Sequence, residues 1–124
     1  MQVFKIATAD EWKAAQEAGV YRGSADDKRD GFIHLSTAGQ LAGTLDRHFA
    51  NATELTLVAL DADALGALLK WEPSNDGQNF PHLYSPLELS KVLWTSPITA
   101  KAPGIFALPT RAFIEQRMEP GRAS

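Results

Sequence analysis

The chain contains no cysteine among its 124 residues. This absence excludes a disulfide framework, every zinc site built on thiolates, and a cysteine nucleophile. The sequence also lacks an excess of basic residues, because 12 Lys and Arg stand against 15 Asp and Glu, for a formal net charge of −3. A nucleic-acid surface needs clustered positive charge, so we expect no DNA partner.

No stretch of the sequence has the length and apolar character of a signal peptide or a membrane span. Charged residues interrupt the first 20 positions, and no run approaches the ~20 apolar residues that a span requires. We therefore expect a cytoplasmic protein without a membrane partner. The composition, 44% hydrophobic and 22% charged, is that of one globular domain. We assign residues 1–109 to that domain and residues 110–124 to a C-terminal helix, Arg111–Met118, with a frayed tail.

The hydrophobic pattern predicts an α+β fold. Apolar alternation and short apolar runs predict strands at residues 3–8, 32–36, 54–60, 70–72, 80–84 and 89–94, the last ended by Pro97. Helical spacing predicts helices at residues 10–18, 38–50 and 64–69, the first capped by Thr8 and ended by Gly19. Residues 21–30 contain almost nothing apolar, so they are predicted to form an exposed loop.

The strand that contains His34 is the first candidate for a functional segment. Alternation along a strand sends Ile33 and Leu35 to the core. His34 and Ser36 then share the opposite face, which could open into a cleft. Thr37 follows at the start of a helix, whose free N–H groups favour an anion. We predict that His34 is catalytic and that Ser36 and Thr37 bind substrate. A structural histidine bonded to the backbone is the alternative.

The second candidate segment contains His82 and follows the loop-forming residues 73–79. His82 and Tyr84 share a strand face because they are two residues apart. Together with the indole of Trp71, they suit a flat aromatic or ribose-bearing ligand. Glu72 stands at an element end beside the loop and is the carboxylate partner of choice. We predict that His82 and Glu72 are catalytic and that Trp71 and Tyr84 bind substrate, with plain packing as the alternative.

The spacing of the three histidines does not indicate a metal site. His34, His82 and an acid could supply three ligands, but no H-x-x-x-H or H-x-H pair occurs. We therefore predict no metal and no essential cofactor. We expect the rings of His34 and His82 in one shared cavity, with centres within about 10 Å of each other. His48, in the last turn of its helix, is expected outside that cavity.

These segments together resemble one bacterial family. The strings DGFIHLST at 30–37, WEP at 71–73 and FPHLY at 80–84 occur in order, with Gln40 between the first two. They look like the bacterial domain-of-unknown-function family 952, over about Val3 to Pro97.

That family is similar in proposed fold to the ADP-ribosyltransferase superfamily. The resemblance implies a small domain with a split, mostly antiparallel sheet and flanking helices, and NAD as a possible substrate. It also implies residue roles: His34 contacts the adenosine-side ribose, Tyr84 or Trp71 stacks on nicotinamide, and Glu72 or His82 completes catalysis. Because fold alone does not give function, these roles are expectations.

Three functions remain open at this point. The leading hypothesis is an enzyme or binder for NAD or a related ADP-ribosyl or phosphorylated nucleotide. The second is a two-histidine phosphoesterase, because H-x-S at His34 and H-x-Y at His82 resemble paired H-x-T/S motifs, in which one imidazole is base and the other acid. The third is a non-catalytic interaction module. The sequence predicts nothing about oligomeric state.

Overall fold

The structure, a computed structural model, describes residues 1–74 and 77–113. The strands are β1 (Gln2–Thr8), β2 (Val20–Tyr21), β3 (Ile33–His34), β4 (Glu54–Asp61), β5 (Leu69–Pro73), β6 (Asn79–Leu83), β7 (Leu87–Glu88), β8 (Val92–Ala102) and β9 (Ile105–Phe106). The α-helices are α1 (Ala9–Ala18), α2 (Ala25–Asp30), α3 (Leu41–His48) and α4 (Ala62–Leu65). Four 3-10 turns complete the described elements: Ala38–Gln40, Gly66–Leu68, Leu89–Lys91 and Thr110–Phe113.

The strands form three antiparallel groups. The largest has the order β1-β4-β8-β9, the second β3-β6-β5, and the third is the pair β2-β7. Backbone hydrogen bonds of 2.8 Å in both directions between Phe4 and Ser36 connect β1 to the chain just after β3. The predicted α+β class, with antiparallel pairing throughout the described strands, is confirmed.

Both faces of β1 and β4 are buried, so each strand contributes to two cores. On one face of β1, Phe4 and Ile6 pack with α3. Odd-numbered residues, such as Val3 and Ala7, pack with α1 and the segment around β3. Lys5 falls on this second face and is only 5% exposed. A buried lysine needs a charged partner, because an unpaired charge is costly in the interior.

The capping motif of α1 is the one predicted. The Thr8 hydroxyl accepts from the Glu11 amide at 3.1 Å, and the Glu11 carboxylate accepts from the Thr8 amide at 3.0 Å. Gly19 ends the helix in the left-handed region, with φ 80°, which costs glycine little. A strand followed by a capped helix is therefore readable from the sequence here.

The prediction of an exposed loop over residues 21–30 is wrong, because α2 lies within it. The helix is stabilised by a second capping box, Ser24 with Asp27, and ends at Gly31 with φ 86°. Apolar periodicity could not reveal this helix, since its buried residue is the charged Asp27. A hydrogen-bonded carboxylate anchors α2 where a leucine would anchor an ordinary amphipathic helix.

The prediction that Pro97 ends the last strand is also wrong. β8 runs through Pro97, which pairs with Thr56 of β4. The missing N–H is tolerated because β9 pairs with the other edge of β8 only at Ala100 and Ala102. Residues 89–91, predicted to begin this strand, form a 3-10 turn.

Other boundaries shift by a few residues. The helix predicted over 38–50 begins as a 3-10 turn and ends at His48, and the helix predicted over 64–69 is α4 with the 3-10 turn that follows it. Thr110–Phe113 form a 3-10 turn, and the rest of the predicted C-terminal helix and tail lies outside the described residues. No helix in the described part of the chain is long and apolar enough to span a membrane.

Candidate functional site

A cavity of about 390 Å³ is lined by residues of β1, α2, β3, α3 and β6. This volume lies within the range of small-molecule sites. His34 and His82 both line it. They are direct partners across the β3-β6 ladder, and their ring centroids are 5.7 Å apart. The expectation that both rings share one cavity within about 10 Å is therefore confirmed.

His34 is held by two oxygens of α2. Its Nδ1 lies 2.6 Å from Asp27 Oδ1, and the same oxygen accepts from the His34 backbone amide at 3.1 Å. A carboxylate can only accept, so Nδ1 is the donor. Its Nε2 lies 3.0 Å from Asp30 Oδ2. Asp27 therefore determines both the backbone position and the ring orientation of His34.

Asp27 is itself held by Lys5. The Lys5 ammonium lies 2.8 Å from Asp27 Oδ2 and donates to the His34 carbonyl at 3.2 Å. The Ser24 amide donates to Asp27 Oδ2 at 2.9 Å. Burial raises the pKa of Asp27, but the His34 hydrogen bond and the charge and hydrogen bond of Lys5 lower it by more, so that pKa lies well below its usual range. Asp27 is therefore an ionised carboxylate in the interior.

His82 has its own carboxylate on the neighbouring strand. Its Nδ1 lies 2.8 Å from Glu72 Oε1, and the Tyr84 hydroxyl donates to that oxygen at 2.7 Å. The Tyr84 and His82 hydrogen bonds lower the pKa of Glu72, and the Glu72 bond raises the pKa of Tyr84. Phe32 stacks on the His82 ring at a centroid distance of 4.0 Å. No described residue hydrogen-bonds to the second ring nitrogen of His82, Nε2.

Further lining residues of the cavity come from α3 and β6. Ser36 and Thr44 share a hydroxyl hydrogen bond of 2.9 Å there. The Arg47 guanidinium lies 5.9 Å from the Phe80 ring centroid. His48 also lines the cavity, so the expectation that it lies outside is wrong. His48 is the last residue of α3, and its neighbours Arg47 and Phe49 line the cavity as well.

The structure separates the predicted site residues into three groups. His34, Ser36 and His82 line the cavity. Glu72 and Tyr84 are not among the described lining residues. Glu72 contacts the lining residue His82, and Tyr84 bonds to Glu72.

Thr37 and Trp71 form the third group and are not among the described residues that line the cavity. The Thr37 amide donates to the Gln40 side chain at 3.0 Å, so that N–H is already engaged. A 3-10 turn follows it in place of a long helix. Trp71 lies on β5 and is 42% exposed.

Several cavity residues were not predicted from the sequence. Lys5 had a signal, because it interrupts the apolar strand at an inward position between Val3 and Ala7. Asp27 also had one, because Ser-x-x-Asp from Ser24 is a capping pattern. Arg47 had none. Among the described residues, no group of three His, Cys, Asp or Glu is arranged to hold a metal ion.

The chain matches, over residues 6–95, the family described as "Protein of unknown function (DUF952)". The chain belongs to this family. The crystal structure of protein CC0527 from Caulobacter crescentus is similar, with 40% sequence identity and a TM-score of 0.85 over 90% of this chain and 98% of that one. Its solution NMR structure is 38% identical, with a TM-score of 0.76 over 94% and 95% of the two chains. No curated protein matches the chain.

The predicted family is thereby confirmed. CC0527 is a bacterial structural genomics target, and its descriptions give no activity. The likeness to ADP-ribosyltransferases is not shown by them. The function of this member must therefore be argued from the geometry of its own cavity.

Proposed function

We propose that this DUF952 protein is an enzyme that binds a phosphorylated nucleotide-type molecule in the cavity and hydrolyses it with His34 and His82 as an acid–base pair. One observation carries the proposal: the two imidazoles are cross-strand neighbours on β3 and β6 with ring centroids 5.7 Å apart, and each has its Nδ1 on a carboxylate. Carboxylate-oriented imidazoles are a recurrent arrangement for proton transfer.

We assign the roles of the two rings in this proposal from their contacts. His82 donates from Nδ1 to Glu72, which makes Nε2 the nitrogen that can accept a proton, so His82 is the base. His34 lies between two carboxylates, Asp27 at Nδ1 and Asp30 at Nε2. A ring with an N–H on both nitrogens satisfies both acceptors, so His34 is the acid.

The proposed reaction on a nucleoside cyclic phosphate balances without a cofactor. The oxygen of a water molecule bonds to phosphorus as its proton passes to His82 Nε2. The phosphorus–oxygen bond to one ribose oxygen breaks, and that oxygen takes a proton from His34 Nε2. The product is an acyclic phosphate monoester, and a proton passing from His82 to His34 through solvent restores the pair.

The rest of the cavity supports a ligand that contains both a phosphate and a ring. Arg47 brings a guanidinium, the side chain best matched to phosphate oxygens. Phe80 brings an aromatic face on which a base can stack. Ser36 and Thr44 add hydroxyl groups for ribose or phosphate oxygens. These groups line one cavity, so a single nucleotide can contact all of them.

A second candidate is ADP-ribosyl chemistry on NAD, the activity that the family's proposed fold implies. The observation in its favour is that His34, on an early strand, lines a cavity that also contains an aromatic ring. That ring is Phe80. Trp71 and Tyr84, the residues expected to stack on nicotinamide, are absent from the described lining, so Phe80 takes over this role in the proposal.

The test compares nucleoside 2′,3′-cyclic phosphates with NAD, following products by chromatography. We expect the wild type to open the cyclic phosphate and both His34→Gln and His82→Gln to lose about 100-fold or more of the rate, the usual size of one acid–base contribution. His48→Gln is the matched control, because His48 lines the same cavity but lies outside the pair.

Turnover or binding of NAD without cyclic phosphate hydrolysis would favour the second candidate. Failure of both nucleotide classes to bind at millimolar concentration would reject both and support the interaction-module hypothesis.

A further inference from the structure

The donors around Asp30 form an anion site that the chain itself occupies. Arg29 donates to the two Asp30 oxygens from Nε at 2.8 Å and from Nη2 at 3.1 Å. His34 Nε2 lies 3.0 Å from Asp30 Oδ2. A guanidinium fork and an imidazole directed at neighbouring oxygens are the donors that phosphate oxygens also use.

We propose that the position held by the Asp30 carboxylate between His34 Nε2 and Arg29 is the phosphate subsite of the cavity, and that the ligand's phosphate displaces Asp30 from it. The inference rests on the proposed function in one respect, since it identifies the phosphate of that substrate class as the displacing group. Arg29, Asp30 and His34 all line the cavity, so a ligand there can reach both donors.

A comparison of the two aspartates on α2 shows which can move. Asp27 is 2% exposed and bonds to Lys5, Ser24 and His34. The side chain of Asp30 is 32% exposed and contacts only Arg29 and His34 among the described residues.

Exposed ion pairs such as Arg29 with Asp30 are weak and exchange readily. Arg29 is 66% exposed, so its side chain is free to follow an incoming anion. Asp30 is the last residue of α2 and is followed by Gly31, so a rotation of its side chain leaves the helix and the core unchanged.

Displacement is also what the proposed reaction requires. The acid must deliver its proton from His34 Nε2 to the leaving oxygen, and Asp30 holds that nitrogen until another acceptor replaces it. A phosphate can replace both contacts of the carboxylate together, whereas a neutral sugar cannot. In this proposal Asp30 occupies His34 Nε2 unless a ligand with an oxyanion displaces it, so it selects for ligands of that kind.

The experiment titrates inorganic phosphate into wild type, Asp30→Asn and Asp30→Ala, with calorimetry for affinity and NMR of the histidine ring nitrogens for location. We expect both variants to bind phosphate about five- to tenfold more tightly, a typical size for coupling between competing groups. Phosphate should shift the His34 Nε2 signal in all three proteins. Asp63→Asn is the matched control, because it removes the same charge at an exposed position on α4 that is not among the described residues lining the cavity. Its affinity should stay within about twofold of wild type on this scale.

Three results would overturn the inference: unchanged or weaker phosphate binding in both Asp30 variants, equal tightening in Asp63→Asn, or a His34 signal that phosphate does not move. Phosphate displacement without any nucleotide turnover would instead reject the proposed function and leave the subsite standing. Nucleotide turnover, combined with a phosphate affinity that the Asp30 variants leave unchanged, would reject the subsite alone.

Discussion

Asp27 orients His34 and pairs with Lys5, although no residue close to it in the sequence indicates a functional site. One oxygen holds the ring and the backbone amide of His34, and the other meets Lys5 and the Ser24 amide. It is the common partner of β1, α2 and β3. Because all of its partners are donors, the charged carboxylate is the form that the fold requires.

The lowered pKa of Asp27 predicts a dependence of stability on acid. Its folded pKa lies below the unfolded value of about 3.9. Its contribution is therefore complete above about pH 4 and is lost as the pH falls through the folded value. Asp27→Asn has no such titration and leaves Lys5 without a buried counter-charge, at a cost of about 3 kcal/mol.

The measurement is urea unfolding of wild type and Asp27→Asn between pH 2 and about 7, the range that spans carboxylate titration. The difference in unfolding free energy should be largest near neutrality and shrink in acid. A difference that is constant across this range would contradict the assignment. Asp26→Asn serves as the control, since Asp26 is exposed.

At this scale the sequence predicted the reactive groups better than their supports. His34 and His82 could be found because a two-residue spacing on a strand shows which side chains share a face. Lys5 and Asp27 are far apart in the chain, and only the pairing of β1 with the segment after β3 brings them together. Trp71 and Thr37 fit the chemistry by residue type, but strand position and a local Gln40 contact keep them from the cavity.

Among the elements, α2 is the one that determines the site. It contributes Asp27, Arg29 and Asp30, which between them orient His34 and hold its second nitrogen. The first helix, α1, has a capping box of the same type but contributes none of the described residues that line the cavity. Removing one cap at a time therefore distinguishes an effect on stability alone from an effect on the site.

Ser24→Ala and Thr8→Ala should each lower the free energy of unfolding by about 1 kcal/mol, the usual cost of a lost N-cap hydroxyl. Only Ser24→Ala should also weaken inorganic phosphate binding and move the His34 ring signals, because Ser24 caps the helix that holds His34. Urea unfolding and the phosphate titration decide this. Equal effects of both variants on phosphate binding would mean that the site responds to global stability alone.

Sequence patterns located α1 but not α2 for a physical reason. Periodicity detects helices that bury apolar residues, whereas α2 buries a carboxylate and exposes most of its other side chains. The same limit applies to β8. Pro97 would end this strand only if a neighbouring strand required a hydrogen bond from the N–H that proline lacks. That need depends on which strands pair, and local sequence does not determine the pairing.

In the whole molecule, the cavity lies where the two larger sheets meet. The Phe4–Ser36 bridge joins β1 to the end of β3, and the His34–His82 pairing continues from there into β6. Residues from position 5 to position 82 of the chain therefore line one cavity. A ligand that contacts α2, α3 and β6 together should stabilise all of these elements at once.

This arrangement predicts ligand-dependent melting. A nucleoside monophosphate at 100 times its Kd should add about 2.7 kcal/mol of stability, which for a domain of this size is a rise in Tm of roughly 10 °C. His34→Ala should remain folded, because the Asp27–Lys5 pair persists, but it should lose most of this rise. Trp71→Ala should keep the whole rise, since Trp71 is exposed on β5.

Differential scanning calorimetry with the ligand and with an equal ionic strength of sodium chloride separates specific binding from salt effects. A rise that vanishes in Trp71→Ala and survives in His34→Ala would place the ligand on the exposed face of β5 and remove the histidine cavity as the binding site.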